Sequence, residues 1–313
     1  MSAECVLAVD VGGTKLAVGV VDGEARVLAS ERMATPQAVS ADDLFQALED
    51  LCRRVLDASG ARVAAIGVGC GGPMEYPAGV VSPLNIPVWR GFPLRQRLAR
   101  AFGLPCVVDN DANALALGEH WRGAGQGSAN MVGMVVSTGV GGGIILEGRL
   151  LHGQSGNAGH IGHIIVWPGG PLCGCGARGC IEGVASGTGL ARRLEVALAD
   201  GAATQLGHGA SAAQIAVAAR EGDALATELF RTAGEGVGRG IASAAALLDL
   251  ELVAIGGSIA LHAWDLLGPP LLAEVERSAR LDFTRNVRVV QARLGDTAGL
   301  YGATQLAFAT LEP

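Results

Sequence analysis

The chain carries the same short pattern twice. Residues 5–11 (CVLAVDV) are an apolar, β-branched run that meets Gly12-Gly13-Thr14. A second run over 16–22 then closes on Asp22-Gly23. At 131–136 another apolar run meets Ser137-Thr138-Gly139 and Gly141-Gly142-Gly143. Apolar residues 144–146 follow and end on Glu147-Gly148. Short apolar runs bounded by glycine turns read as strand–turn–strand units. Each copy is strand, polar glycine turn, strand, acidic-Gly turn, which points to an internal duplication of a β-hairpin. Glycine lets backbone amides approach a ligand, so two such turns facing each other would clamp a polyphosphate. The plainer alternative is two unrelated hairpins.

The remaining periodicities make an α/β chain. A third strand is expected over 26–33. Ser40 with Asp43 marks a helix start, and Leu44, Leu48, Leu51 and Val55 make one helical face that ends near Gly60. A buried strand over 63–69 leads to a Pro- and Gly-rich loop over 71–93. A helix over 94–102 and a strand over 105–109 then reach Asp109-Asn110-Asp111. Helices are expected over 185–200, 211–231, 234–248 and 296–310, the third rich in small residues that permit close packing. Residues 251–260 read as a strand, a Gly256-Gly257 turn and a helix start, where a flat ring could approach the backbone. Gly67-x-Gly69-x-x-Gly72 matches a dinucleotide fingerprint, but Pro73 and Pro77 follow and leave no helix N-terminus for a pyrophosphate.

His163, Cys173, Cys175 and Cys180 place one imidazole and three thiols within eighteen residues. That is a zinc ligand set, and three Cys with one His leave no open position, so the metal would be structural. Its task would be to pin a loop crowded with Gly and Pro, with His160 and Glu182 flanking it as candidate ligand contacts. The competing reading is three unrelated buried thiols and a surface His. Cys5, Cys52, Cys70 and Cys106 lie in apolar patterns and read as small core residues. An odd, scattered count of seven suggests a reducing compartment and no disulfides.

Half of the 313 residues are apolar but only 4% are aromatic, so the core must be Val, Ala, Leu and Ile. A formal charge of −7 and the lack of a basic run argue against a nucleic-acid partner. No apolar run reaches the ~18 residues of a membrane helix, and Met-Ser-Ala-Glu-Cys has no positive n-region of a signal peptide. A cytoplasmic chain is expected. It has 22 Arg and a single Lys, Lys15, which sits in the first glycine turn.

Taken together these residues resemble the ROK family (repressors, open reading frames, kinases), a branch of the actin-like ATPase and sugar-kinase superfamily. The resemblance spans nearly the whole chain. Asp10-Val-Gly-Gly-Thr-Lys15 is similar to the family's first phosphate turn, and Ser137-Thr-Gly-Val-Gly-Gly-Gly143 to its second. Ala254-Ile-Gly-Gly257 is similar to the adenosine-site turn, Asn110-Asp111-Ala-Asn113 to the catalytic stretch, and His163 to Cys180 to the zinc motif. The resemblance implies Asp111 as general base, with Asn85, Asn110, His160, His163 and Glu182 as sugar contacts. It implies Asp10, Gly12, Gly13, Thr14, Lys15, Thr138, Gly139, Gly256 and Gly257 around ATP, with Asp10 ordering Mg2+ or its waters. Helix capping is the bland alternative for Asp111, and a first-turn acid for Glu182. Two positions depart from the family pattern. His160 stands where most sugar-phosphorylating members carry Glu, an arrangement similar to bacterial N-acetylmannosamine kinases, and Gly71 stands where Pro is usual.

The implied architecture is two ribonuclease H-like (actin-like ATPase) domains around a central cleft. Residues 1–117 with 297–313 would form a small domain, and 118–296 a large one carrying the zinc loop 160–182. The implied activity is ATP- and Mg2+-dependent phosphorylation of a hexose or N-acetylhexosamine at the 6-hydroxyl. Glucose and N-acetylmannosamine are the leading substrates, and polyphosphate stays open as donor. A sugar-sensing regulator is the rival class. It would need an N-terminal winged helix, for which a core strand starting by Val6 leaves no room. A non-catalytic sugar-binding module is the other. A homodimer is expected from the small-residue helix over 234–248.

Overall fold

The computed structural model describes residues 4–37 and 40–311. The chain divides into two compact units: residues 1–126, 150–158 and 296–313, and residues 127–149 and 159–295. Residues 118–126 and 150–158 therefore pack with the first unit, although a boundary at 117 had been expected. The expected ends at 1–3 and 312–313 lie outside the described residues.

In the first unit β1 (Cys5–Val11), β2 (Lys15–Asp22) and β3 (Val27–Ala34) form an antiparallel meander. Helix α1 (Ala41–Ser59) returns the chain to β4 (Val63–Cys70), which pairs parallel with β1. A two-residue hairpin, β5 (Met74–Glu75) and β6 (Val80–Val81), precedes α2 (Leu94–Phe102), β7 (Cys106–Asn110) and α3 (Asp111–Arg122). The five-stranded order is β3-β2-β1-β4-β7.

Helix α1 starts where its sequence says. Ser40 and Asp43 form a reciprocal capping box, and Gly60 closes the helix at φ 59°. Its buried face of Leu44, Phe45, Leu48, Leu51, Cys52 and Val55 packs on one side of the sheet. Burial of each larger side chain contributes about 1.5–3 kcal/mol. Strand alternation then sorts β1. Leu7, Val9 and Val11 join that core, while Val6 and Ala8 face the helix formed by the last described residues. Asp10 shares the parity of Val6 and Ala8, so it comes out on the same side at the strand's end.

In the second unit β8 (Met131–Val136), β9 (Val140–Leu146) and β10 (Arg149–Leu150) are followed by a long glycine-rich segment. Helices α4 (Ile181–Ala185), α5 (Gly187–Ala199), α6 (Ala212–Arg220) and α7 (Ala224–Leu248) come next. Then come β11 (Leu252–Gly256), α8 (Ser258–His262), α9 (Trp264–Ser278) and β12 (Arg288–Gln291). The order β10-β9-β8-β11-β12 repeats that of the first sheet, with β8 antiparallel to β9 and parallel to β11. The duplication is thus of a whole five-stranded sheet, not of a hairpin alone. Helix α10 (Ala298–Ala309) belongs to the first unit.

Two expectations are corrected. The second glycine turn is only Ser137–Gly139, because Gly141–Gly143 lie inside β9. A side chain at Gly142 would sit 2.8 Å from Ile161 Cγ2 and 3.2 Å from the Gly159 carbonyl, so glycine there admits a neighbouring loop. The expected helix 211–231 breaks at Gly222, with φ 91°, and its second half is continuous with 234–248 in the 25-residue α7. The small residues of α7 are spent inside the unit. A Cβ on Gly234 would lie 2.6 Å from the Leu267 carbonyl of α9, and one on Gly240 2.2 Å from Ile181 Cδ1. These glycines serve the close packing that their sequence permits. Among the described residues no helix is long and apolar enough to cross a membrane.

Candidate active site

In the first unit the β1–β2 turn is closed by the Gly12 N–H donating to the Lys15 carbonyl at 2.9 Å. Thr35 braces it from β3's end, its hydroxyl donating to the Gly12 carbonyl at 2.6 Å and its N–H to the Thr14 carbonyl at 3.0 Å. A Cβ on Gly13 would fall 2.7 Å from the Asn85 side chain, so loop 71–93 lies directly on this turn. Lys15 Nζ stands 3.9 Å from Asp10 Oδ2. The Asp10 carboxylate abuts the first turn of α10, where a Cβ on Gly299 would come within 2.7–3.0 Å of its atoms. Burial pushes the Asp10 carboxyl up to about 6, Lys15 opposes that rise, and the charges of Asp111 and Asp296 add to it.

Asp111 is the first residue of α3 and is exposed. The cap itself is Asn110, whose Oδ1 accepts from the Ala112 N–H at 2.9 Å, so the capping alternative belongs to the neighbour of Asp111. Asp111 Oδ1 also accepts from Ala112 at 2.9 Å. A Cβ on Gly71 would lie 3.7 Å from both Asn85 Oδ1 and Asp111 Oδ2, and one on Gly72 3.2 Å from Asn110 Nδ2. Gly71 and Gly72 therefore border the three polar groups without filling the space among them. The structure gathers Asp10, Gly12, Gly13, Thr14, Lys15, Asn85, Asn110 and Asp111 in this unit.

In the second unit the Ser137–Gly139 turn is closed by the Ser137 N–H donating to the Gly139 carbonyl at 2.9 Å. Its carbonyls are held by the start of α5. The Gly187 N–H donates to the Ser137 carbonyl at 2.8 Å, and the Thr188 hydroxyl to the Thr138 carbonyl at 2.9 Å. Glu182 supports the other side, with Oε2 accepting from the Val140 N–H at 3.0 Å. A Cβ on Gly139 would lie 2.8 Å from that oxygen. Gly256 ends β11, and Gly257 follows at φ 91°. A Cβ on Gly257 would lie 2.5 Å from the Val136 carbonyl, which excludes larger residues. Ser258 joins Ser137 at 2.9 Å between hydroxyls, tying this turn to the Thr138 turn.

His163, Cys173, Cys175 and Cys180 converge, with one ligand atom from each lying within 4.8 Å of all the others. Zn–S bonds of ~2.3 Å in a tetrahedron set S···S edges of about 3.8 Å. Cys175 Sγ to Cys180 Sγ is 3.8 Å, and Cys173 Sγ to His163 Nδ1 is 3.7 Å, so the donor set fits zinc in number, type and spacing. Burial pushes the Cys173 thiol up and the Cys180 thiol up to about 12, so a central dication is what would let both ionise. The loop is tied by its own backbone, including the Cys173 N–H to the Ala177 carbonyl at 2.8 Å and the Gly179 N–H to the Pro171 carbonyl at 2.8 Å. His163 offers Nδ1 to the thiols, which leaves Nε2 for a second partner. The His160 ring lies 6.1 Å from that of His163. Cys173 donates to Glu182 Oε1 at 3.6 Å, linking the cluster through one carboxylate to the phosphate-type turn. The other four cysteines are buried, as the apolar patterns require.

Comparison with known proteins decides the family. Residues 6–310 match the ROK family. The chain belongs to the ROK family. It is 38% identical to a glucokinase of Streptomyces coelicolor, covering 96% of both chains. It is 37% identical to an N-acetylmannosamine kinase of Citrobacter koseri, covering 96% of this chain and 98% of that one. Among solved structures it is similar to a ROK family glucokinase from Streptomyces griseus in complex with glucose and AMPPNP. That likeness has a TM-score of 0.78 and 37% identity, and covers 97% of this chain and 99% of that one. The two five-stranded sheets are thus those of an actin-like ATPase fold. Thr35, Thr188 and Ser258 brace the glycine turns, and no spacing in the sequence pointed to them.

Proposed function

We propose that the chain is an ATP-dependent sugar kinase that phosphorylates the 6-hydroxyl of a hexose or N-acetylhexosamine, with glucose as first candidate. The observation that carries the reading is Asp111, exposed at the start of α3 with Asn110 and Asn85 around it and the Asp10–Lys15 turn in the same unit. The ROK relatives with glucokinase activity in their names support it.

In this reading Asp111 accepts the proton of the 6-hydroxyl as that oxygen attacks the γ-phosphorus, and the bond to the β–γ bridging oxygen breaks to release ADP. Phosphoryl transfer needs positioning and charge stabilisation more than covalent help. Asn85 and Asn110 would orient the sugar. His160, the Nε2 of His163 and Glu182 are the further sugar contacts. Gly12, Gly13, Thr14, Lys15, Thr138 and Gly139 would line the phosphates, and Gly256 with Gly257 the adenosine. Asp10 would hold Mg2+ or its waters; when bound, the ion neutralises charge between the β- and γ-phosphates. The need of the raised Asp10 carboxyl for a cation fits that role. Zinc at His163, Cys173, Cys175 and Cys180 would be structural, holding His163 and Glu182 at fixed separation.

A second reading, N-acetylmannosamine kinase, is favoured by His160. An imidazole donates one hydrogen bond and accepts one, where a carboxylate only accepts, which suits an acetamido group better. ADP release coupled to oxidation of NADH, across glucose, mannose, N-acetylglucosamine and N-acetylmannosamine, decides between them. No turnover with any sugar would refute both.

A further inference from the structure

We propose that His152 is a positioning residue for Asp111, acting through the buried carboxylate of Asp109; the inference rests on the kinase reading above. Asp109 lies on β7, two residues before Asp111, and is fully buried. A buried carboxylate survives only if its lone pairs are met. Three donors meet them from two parts of the chain. The Asn110 N–H donates to Oδ1 at 2.6 Å, Asn113 Nδ2 to Oδ1 at 2.8 Å, and His152 Nε2 meets Oδ2 at 2.7 Å. The first two are the cap and the first turn of α3, so the position of Asp109 sets where that helix begins and where Asp111 points.

Oδ2 is the oxygen that neither of those two α3 donors reaches. Without His152 one side of the buried carboxylate loses its donor, and Asp109 must turn to seek another. The imidazole is itself held, stacked on Tyr76 with ring centroids 4.3 Å apart and planes at 15°. Tyr76 lies on loop 71–93, which also carries Asn85, and Gly156 lets the 150–158 loop come down on that ring, since a Cβ there would sit 2.2 Å from Tyr76 Cβ. Tyr76, His152, Asp109 and the first turn of α3 therefore form one chain of contacts between the Asn85 loop and Asp111. His152 is 28% exposed at its side chain, so it can be replaced without opening the core.

The test uses the full chain in the coupled ADP assay with two substitutions. His152→Phe keeps the stack on Tyr76 and removes the donor; His152→Gln offers an amide donor in its place. The expected result is a 10- to 100-fold lower kcat for His152→Phe. The sugar KM should stay within about twofold, and His152→Gln should recover most of the lost rate. If His152→Phe shows no cooperative melt, Tyr76→Leu, which frees the imidazole to swing, should give the same split in weaker form. Unchanged kcat in His152→Phe overturns the inference, and so does an equal loss in Phe and Gln variants that tracks their thermal stability. Absence of turnover in the unsubstituted chain is a separate result and removes the kinase reading itself.

Discussion

Replacing Gly302 with alanine sets two magnitudes of opposite sign against each other. Gly302 is in the second turn of α10, and alanine is the better helix former by about 1 kcal/mol. The added methyl would lie 1.6 Å from the carbonyl oxygen and 2.3 Å from the carbonyl carbon of Ala114 on α3. Both are backbone atoms and cannot swing aside. Ordinary contact begins near 3.4 Å, so the helices would have to part locally by about 1.8 Å. A gap of half that size already forfeits a quarter to a half of each dispersion contact. The seam is shared by Gly118, whose Cβ would sit 2.3 Å from the Ala298 carbonyl, and extends to β4 through Gly67, whose Cβ would be 1.8 Å from that of Ala303. Loss of packing there should cost about 4 kcal/mol, as a cavity in a tight core does. The net loss is then about 3 kcal/mol, or a fall in Tm of roughly 6–12 °C for a unit of this size. Trp121 on α3 meets Tyr301 and Phe308 of α10 edge-on at 6.0 and 6.4 Å, so its fluorescence reports the seam during urea unfolding. Gly23→Ala, where a Cβ meets nothing within 4 Å, is the control and should be neutral. A Gly302→Ala protein as stable as the parent would show that helix propensity wins and that the close approach is not required.

Asp111→Asn should cut kcat by about 10²–10⁴-fold while thermal shift by sugar persists, because only the proton acceptor is lost; an unchanged kcat would exclude Asp111 as base. The purified chain should carry one zinc by elemental analysis, and Cys175→Ser should lose metal and lower Tm; full stability of a metal-free chain would contradict a structural ion. Asp10 keeps its proton to about pH 6 when folded but only to about 4 when unfolded. The folded state thus binds more protons between those values, and ligand-free stability falls as pH rises through that window, by about 3 kcal/mol at most. Asp10→Asn should flatten that slope in urea titrations at pH 4.5 and 7; an unaltered slope would place the titration elsewhere.

The local signals were legible because they are local. Residues 5–11 and 16–22 coincide with β1 and β2, Ser40 and Asp43 with the cap of α1, and 94–102 with α2. The convergence of His163 with Cys173, Cys175 and Cys180 was legible for the same reason, three thiols and one imidazole within a short glycine-rich loop. What escaped depends on distant contacts. Gly142 looks like a turn residue until the 159–162 loop is seen against it, and the small residues of 234–248 announce close packing without naming α4 and α9 as the partners. Asp109 reads as one more acid before Asp111, and His152 carries no signal in the sequence. Their pairing crosses 43 positions, and no periodicity encodes it. Asn85 was placed only by resemblance; the structure adds that it lies on the Gly13 turn.

The division of the backbone has a consequence for biogenesis. The first 126 residues supply all five strands of the first sheet, yet Val6, Ala8 and Ala65 await Ala303 and Ala307 from α10. On the ribosome that half must idle, one side of its sheet covered only in part by α3, while about 170 further residues are made. The later-synthesised unit is contiguous but for one nine-residue excursion, 150–158, and so can close first. Nascent chains halted before residue 298 should therefore protect the second sheet from protease and leave the first open to digestion.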